Sequence, residues 1–208
     1  MIITSCNIRI KKQDDLKSSN KIYKHTLEAF EKKFVDHFPP NLETKDFSII
    51  ERSVRNFGET SLFLNLHDVS ASKLDSLTLS LKTKSEKIYN AAQSTLLVVN
   101  QFTNEDNILS ILSQIKTDEM KYIIDSIDYQ GLLPVPNFFY SKNKDRTTQC
   151  KLPEDFNLYV LEAQAGKFWD NSYLSNGKYM PDGWKNGYSK GVAISYKRNT
   201  VIYWFIIW

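Results

Sequence analysis

The chain has 208 residues, 41% hydrophobic and 25% charged, a balance that excludes a disordered chain. Seven Gly and six Pro exclude collagen-like or linker-like sequence. The net charge is +3 with only five Arg, at positions 9, 52, 55, 146 and 198. A duplex-DNA reader relies on clustered Arg forks, so no clear basic patch supports a nucleic-acid partner.

In chain order, Ile2, Thr4, Cys6, Ile8 and Ile10 share one face of a half-buried strand over residues 2–10. Ser18 or Ser19 is placed to cap a helix over 20–37, whose apolar positions Ile22, Tyr23, Leu27, Phe30 and Phe34 recur at helical spacing before Pro39-Pro40 stops it. That helix carries Lys21, Lys24, Lys32 and Lys33, but Glu28, Glu31 and Asp36 break up the charge. The pattern reads as a solvated face rather than a membrane-binding one. Phe47–Val54 and the alternating Leu62, Leu64 and Leu66 predict a hairpin turning at Phe57-Gly58-Glu59.

Residues 71–92 fit two periods. Ser76–Lys82 alternates like a strand, whereas Leu74, Leu77, Leu81, Ile88 and Ala92 suit a helix, and the polar composition favours the helix. Thr95–Phe102 predicts an apolar strand. Helices are predicted from Thr103, with Ile108, Leu109, Ile111, Leu112 and Ile115 inward, and from Thr117. Leu132–Pro136 is extended, and the polar run Ser141–Gln149 is an exposed loop.

All four Trp (169, 184, 204 and 208) and five of the seven Gly (166, 177, 183, 187 and 191) fall in the last part of the chain. Leu158–Gln164 predicts a strand. Gly191–Tyr196 and Val201–Trp208 predict a terminal hairpin around Lys197–Thr200. Both alternating sets of the last strand are apolar, which places it inside a sheet with both faces covered. The expected fold is α+β: a mixed or mostly antiparallel sheet with packed helices and a C-terminal hairpin whose buried last strand is central. One domain over 1–208 is expected. The alternative division is an N-terminal α+β part (1–140) and a Trp/Gly-rich part (151–208).

Two cysteines, Cys6 and Cys150, do not describe a disulfide scaffold. With His25, His37 and His67 they show no zinc-ligand spacing. No G-x-S-x-G, P-loop or G-x-G-x-x-G is present. Met1–Ile8 lacks the basic and long apolar regions of a signal peptide, and no apolar run nears the ~20 residues of a membrane helix. A soluble, cytoplasmic protein without a membrane partner is expected.

The segment Gly166–Gly191 interleaves aromatic, basic, amide and glycine residues between two strands, as a binding loop on a rigid sheet would. Trp169, Trp184, Lys185, Tyr188 and Lys190 are its candidate contacts. They point to a non-catalytic interaction protein (an accessory, inhibitor or immunity-type chain) with a protein partner and no cofactor.

Separately, Pro153-Glu154-Asp155 followed by Leu158–Gln164 resembles the PD-(D/E)xK nuclease pattern. There an acidic residue and an E-x-K on a strand hold a divalent metal. The resemblance spans about ten residues and implies Asp155, Glu162 and Gln164 or Lys167 around magnesium or manganese, cleaving phosphodiesters. Gln164 stands where the pattern has Lys, and Asp155 to Glu162 is short for a crossing between neighbouring strands.

Overall fold

The computed structural model describes residues 16–54, 59–99, 129–138, 148–170, 174 and 180–208. Within them lie the strands β1 (Phe47–Val54), β2 (Glu59–Leu66), β3 (Lys87–Asn90), β4 (Asn157–Ala165), β5 (Gly187–Ser195) and β6 (Thr200–Ile207). They form one sheet in the order β1-β2-β6-β5-β4-β3, with every neighbouring pair antiparallel. The helices are α1 (Leu16–Glu28), α2 (Lys32–Val35) and α3 (Ala71–Lys84). The architecture is α+β, as the sequence predicts. No helix among the described residues is long and apolar enough to cross a membrane.

The doubly apolar strand takes the expected place. β6 lies between β2 and β5 and is buried along its whole length, and Trp208 is fully buried beyond it. Val201, Tyr203, Phe205 and Ile207 join the helix-bearing face, with Tyr23, Phe34, Phe38, Leu74 and Leu81 above them. Ile202, Trp204, Ile206 and Trp208 fill the opposite face with Leu96–Val99, Val135, Phe138, Cys150, Leu152 and Phe156. Each face thus excludes water from one of the two alternating sets.

Close approach across the sheet explains two of the clustered glycines. A Cβ on Gly191 would lie 2.2 Å from the Tyr159 carbonyl oxygen and 2.5 Å from the Trp204 ring. One on Gly187 would lie 2.8 Å from the Gln164 carbonyl. Gly187 also exchanges backbone hydrogen bonds with Trp208, at 3.1 and 3.0 Å, extending the β5–β6 ladder to the last residue.

Several boundaries differ from expectation. The helix predicted over 20–37 is two helices. The backbone tightens at Ala29 and Phe30, which donate to Thr26 and Leu27, and Glu31 is extended (φ −59°, ψ 137°). The break lets Phe30 and Phe34 both meet Phe205. Ser18 and Ser19 lie inside α1 rather than capping it, and Ser19 is buried. Asn20 instead ties α1 to the following loop, donating to the Leu42 carbonyl at 3.0 Å and accepting from Leu42 N–H at 2.7 Å.

The strand-like run Ser76–Lys82 lies in α3, as the favoured helix reading has it, but the helix ends at Lys84, and Ile88, expected to continue it, lies in β3. The described part of Thr95–Phe102 is not a sheet strand. It lies across the sheet as an extended segment, joined to Val135 by a parallel bridge at Val98. The terminal hairpin turns at Tyr196–Asn199, one residue earlier than expected, with Asn199 at φ 48°, a conformation Asn tolerates. The strand expected at 2–10, the helices expected from Thr103 and Thr117, and residues 141–147 of the loop lie outside the described residues.

Candidate functional site

The densest group of chemistry-bearing side chains lies where α2 meets β4 and β5. Lys190 is 8% exposed at its side chain, yet its Nζ has three acceptors: the Lys33 carbonyl at 2.6 Å, Asp36 Oδ1 at 3.0 Å and Glu162 Oε2 at 2.9 Å. Both carboxylates are half exposed. The Tyr188 hydroxyl donates to the other Glu162 oxygen. The Tyr188 ring sits edge-on to Phe34 and Phe168, with centroids at 5.2 and 4.6 Å.

Local geometry aims Glu162 at this spot. Strand β4 carries an irregularity between Val160 and Glu162, so Glu162 pairs with Lys190 while Val160 pairs with Gly191. The extra residue, Leu161, shifts the alternation and turns Glu162 onto the helix-bearing face. Ser189 points the other way, donating to the Pro134 carbonyl at 2.6 Å. Ser189 and Lys190 therefore cannot act as a nucleophile–base pair.

His37 completes the cluster. Its side chain is 7% exposed, and Nε2 lies 2.9 Å from the Trp204 carbonyl oxygen. A carbonyl only accepts, so Nε2 carries the proton in the neutral ring and Nδ1 is a bare lone pair. Nδ1 has no hydrogen-bond partner and lies 3.8 Å from Asp36 Oδ1.

Burial pushes the His37 pKa below the ordinary histidine value, and the nearby Asp36 carboxylate only partly opposes this. The His37 imidazole and Lys190 hold the Asp36 carboxyl down at about 2, against the cost of its burial. His37 can act in that sense only while Nδ1 is protonated, whereas Lys190 acts in either state of the ring. The Tyr188 hydroxyl and Lys190 likewise hold Glu162 below the usual carboxylate range. Burial, and then the facing Glu162, raises the Tyr188 hydroxyl.

The residues that resemble a nuclease motif do not converge. Asp155 lies near the other end of β4, where Ser195 Oγ donates to it and Arg198 Nε sits 3.2 Å from both its oxygens, pinning the β5–β6 turn. The strand from Asn157 to Glu162 alone spans about 15 Å, and Asp155 lies in the turn before it. Gln164 pairs with Tyr188 across the sheet but is exposed, and Lys167 is exposed past the strand end. Among the described residues no group of three or more His, Cys, Asp or Glu is arranged to hold a metal ion. The buried Cys150 is a free thiol, raised in pKa by burial, which fits a packing role.

The predicted contact residues divide between the faces. Trp169 leans on Phe30, at 6.0 Å, on the helix side, where Tyr188 and Lys190 also lie. Trp184 packs on Trp208, at 6.2 Å, on the other side, and its carbonyl accepts from Trp208 Nε1 at 2.9 Å. Lys185 is folded back onto the Met180 carbonyl at 2.6 Å. Tyr188 and Lys190, expected as surface contacts, are buried because α2 covers them. Residues 171–173 and 175–179 of the same segment lie outside the described residues.

Asp36 and His37 were not identified by sequence reasoning. Asp36 stands 154 positions from Lys190, and nothing in local spacing announces that meeting. Comparisons with family models, curated proteins and solved structures give no match to this chain.

Proposed function

We propose that this chain is a non-catalytic interaction protein that recognises an acidic protein partner through the α3 side of its helix-bearing face. The observation that carries the reading is the grouping of exposed apolar side chains. Among the described residues the large exposed ones are Leu79 (70% exposed), Ile88 and Tyr196, and all lie around Thr78 of α3.

The Tyr196 hydroxyl sits 3.0 Å from both Thr78 Oγ1 and Asp75 Oδ1. Thr78 also meets the Tyr159 hydroxyl, and Ile88 stands opposite Tyr159 on the same face of the sheet. In sequence the group is flanked by the exposed lysines 82, 84, 87 and 197, against Asp75 and Glu86. Apolar residues flanked by an excess of one sign of charge suit a complementary protein surface. The inward-turned ion pairs of Lys190 and Arg198 further support a non-catalytic role, since they engage the carboxylates a metal site would need.

Native mass spectrometry of the tagged chain recovered from its own host tests this. The expected result is a stoichiometric acidic protein, lost in Leu79→Asp and kept in Trp184→Ala, on the opposite face. Loss in Trp184→Ala alone would return the contact to the Trp169–Gly191 segment. A bare chain that gains mass only with magnesium or manganese would overturn the reading in favour of metal-dependent phosphodiester cleavage.

A further inference from the structure

We propose that His37 makes the segment Lys32–Phe38 an acid-released latch on the sheet. Few bonds hold the segment polar side down: Lys190 reaches the Lys33 carbonyl and Asp36, and His37 Nε2–H donates to the Trp204 carbonyl. Beneath it Phe34 and Phe38 cover Tyr188, Tyr203 and Phe205.

The titratable and charged groups around His37 are few. Asp36 comes from its own segment, at 3.8 Å. Lys190 comes from β5, on the far side of Asp36. Tyr203 comes from β6, with ring centroids 6.4 Å apart, and Glu162 of β4 reaches the group only through Lys190. A proton on Nδ1 would put an imidazolium where the side chain is only 7% exposed, and losing water is costly for a charge. Asp36 alone would offset it, while Lys190 opposes it.

With the segment lifted, the ring is in water and takes the proton at its ordinary value. Acid therefore favours the lifted state. Asp36 and Glu162, both lowered, and Tyr203, raised by burial to about 12, do not titrate near neutrality. A one-proton switch of this kind makes opening about tenfold more frequent on going from about pH 7.5 to about pH 5.5.

Hydrogen–deuterium exchange of the full chain at those two pH values, corrected for intrinsic rates, reads it directly. Exchange across Lys32–Phe38 is expected to rise about tenfold and to be faster at both pH values than that of β5 and β6, which open only with the whole fold, and His37→Gln, which keeps a donor for the Trp204 carbonyl, is expected to abolish the rise. No rise, protection of Lys32–Phe38 equal to that of β5 and β6 at both pH values, or an unchanged rise in His37→Gln would each overturn the latch. Should His37→Gln fail to fold, NMR titration of the wild-type His37 ring decides. Proton uptake that coincides with lost amide protection in Lys32–Phe38 supports the latch, and uptake with protection kept overturns it.

Discussion

Gly191 and the Lys190 cluster show how far single side chains decide this molecule. At Gly191 the backbone of β5 passes so close to Tyr159 and Trp204 that no Cβ fits. Gly191→Ala is expected to destabilise the protein by about 3 kcal/mol, as overpacking of a filled core does, read as a lower urea midpoint at unchanged slope. An unchanged midpoint would mean that the strands have room to part.

The buried His37 and the two carboxylates also set a pH dependence. His37 has a lowered folded pKa, so the unfolded chain binds the extra proton first. Its contribution is full above about pH 6.5 and is lost as pH falls below it. Asp36 and Glu162, also lowered, lose theirs from about pH 4.5 downward. Stability should therefore fall in two steps on acidification, and urea midpoints at a series of pH values would reveal them. A single step confined to the carboxylate range would contradict the buried neutral histidine.

At the scale of elements, β6 carries the most weight. It has a neighbour on each side and a core on each face. Removing Phe205–Trp208 is expected to abolish cooperative unfolding, since each buried aromatic costs about 3–5 kcal/mol to delete. A retained thermal transition would contradict its central place. This strand was legible because period-2 alternation with both sets apolar has one physical solution, burial on both faces. The hairpin of β1 and β2 was legible from the alternating Leu62, Leu64 and Leu66 following the run Phe47–Val54.

The break between α1 and α2 was hidden. Ile22, Tyr23, Leu27, Phe30 and Phe34 keep helical spacing straight through it, and the extended Glu31 is a response to the sheet below rather than to neighbouring residues. Residues 71–92 gave two answers because Leu77, Leu79 and Leu81 alternate with polar residues inside α3, where Leu79 is exposed rather than part of the buried stripe. The site was less legible than the fold. Tyr188, Lys190 and Glu162 were singled out for their residue types, but whether they face water or one another depends on the β4 irregularity and on α2, and local spacing encodes neither.

Across the whole molecule, the helix-bearing face holds both the covered charge cluster under α2 and the exposed apolar group around α3. The first holds the fold, and the second is the proposed recognition surface. A catalytic cluster behaves differently on mutation, because reactive groups are kept at a cost and their removal leaves stability unchanged or raised. Equilibrium urea unfolding of Lys190→Met therefore tests the assignment most directly. Losing the cation leaves the Lys33 carbonyl, Asp36 and Glu162 without their shared donor. The predicted loss is about 2 kcal/mol, below that of a fully buried pair because both carboxylates reach water. A midpoint equal to or above that of the wild type would contradict the account and mark the cluster as a site kept for chemistry.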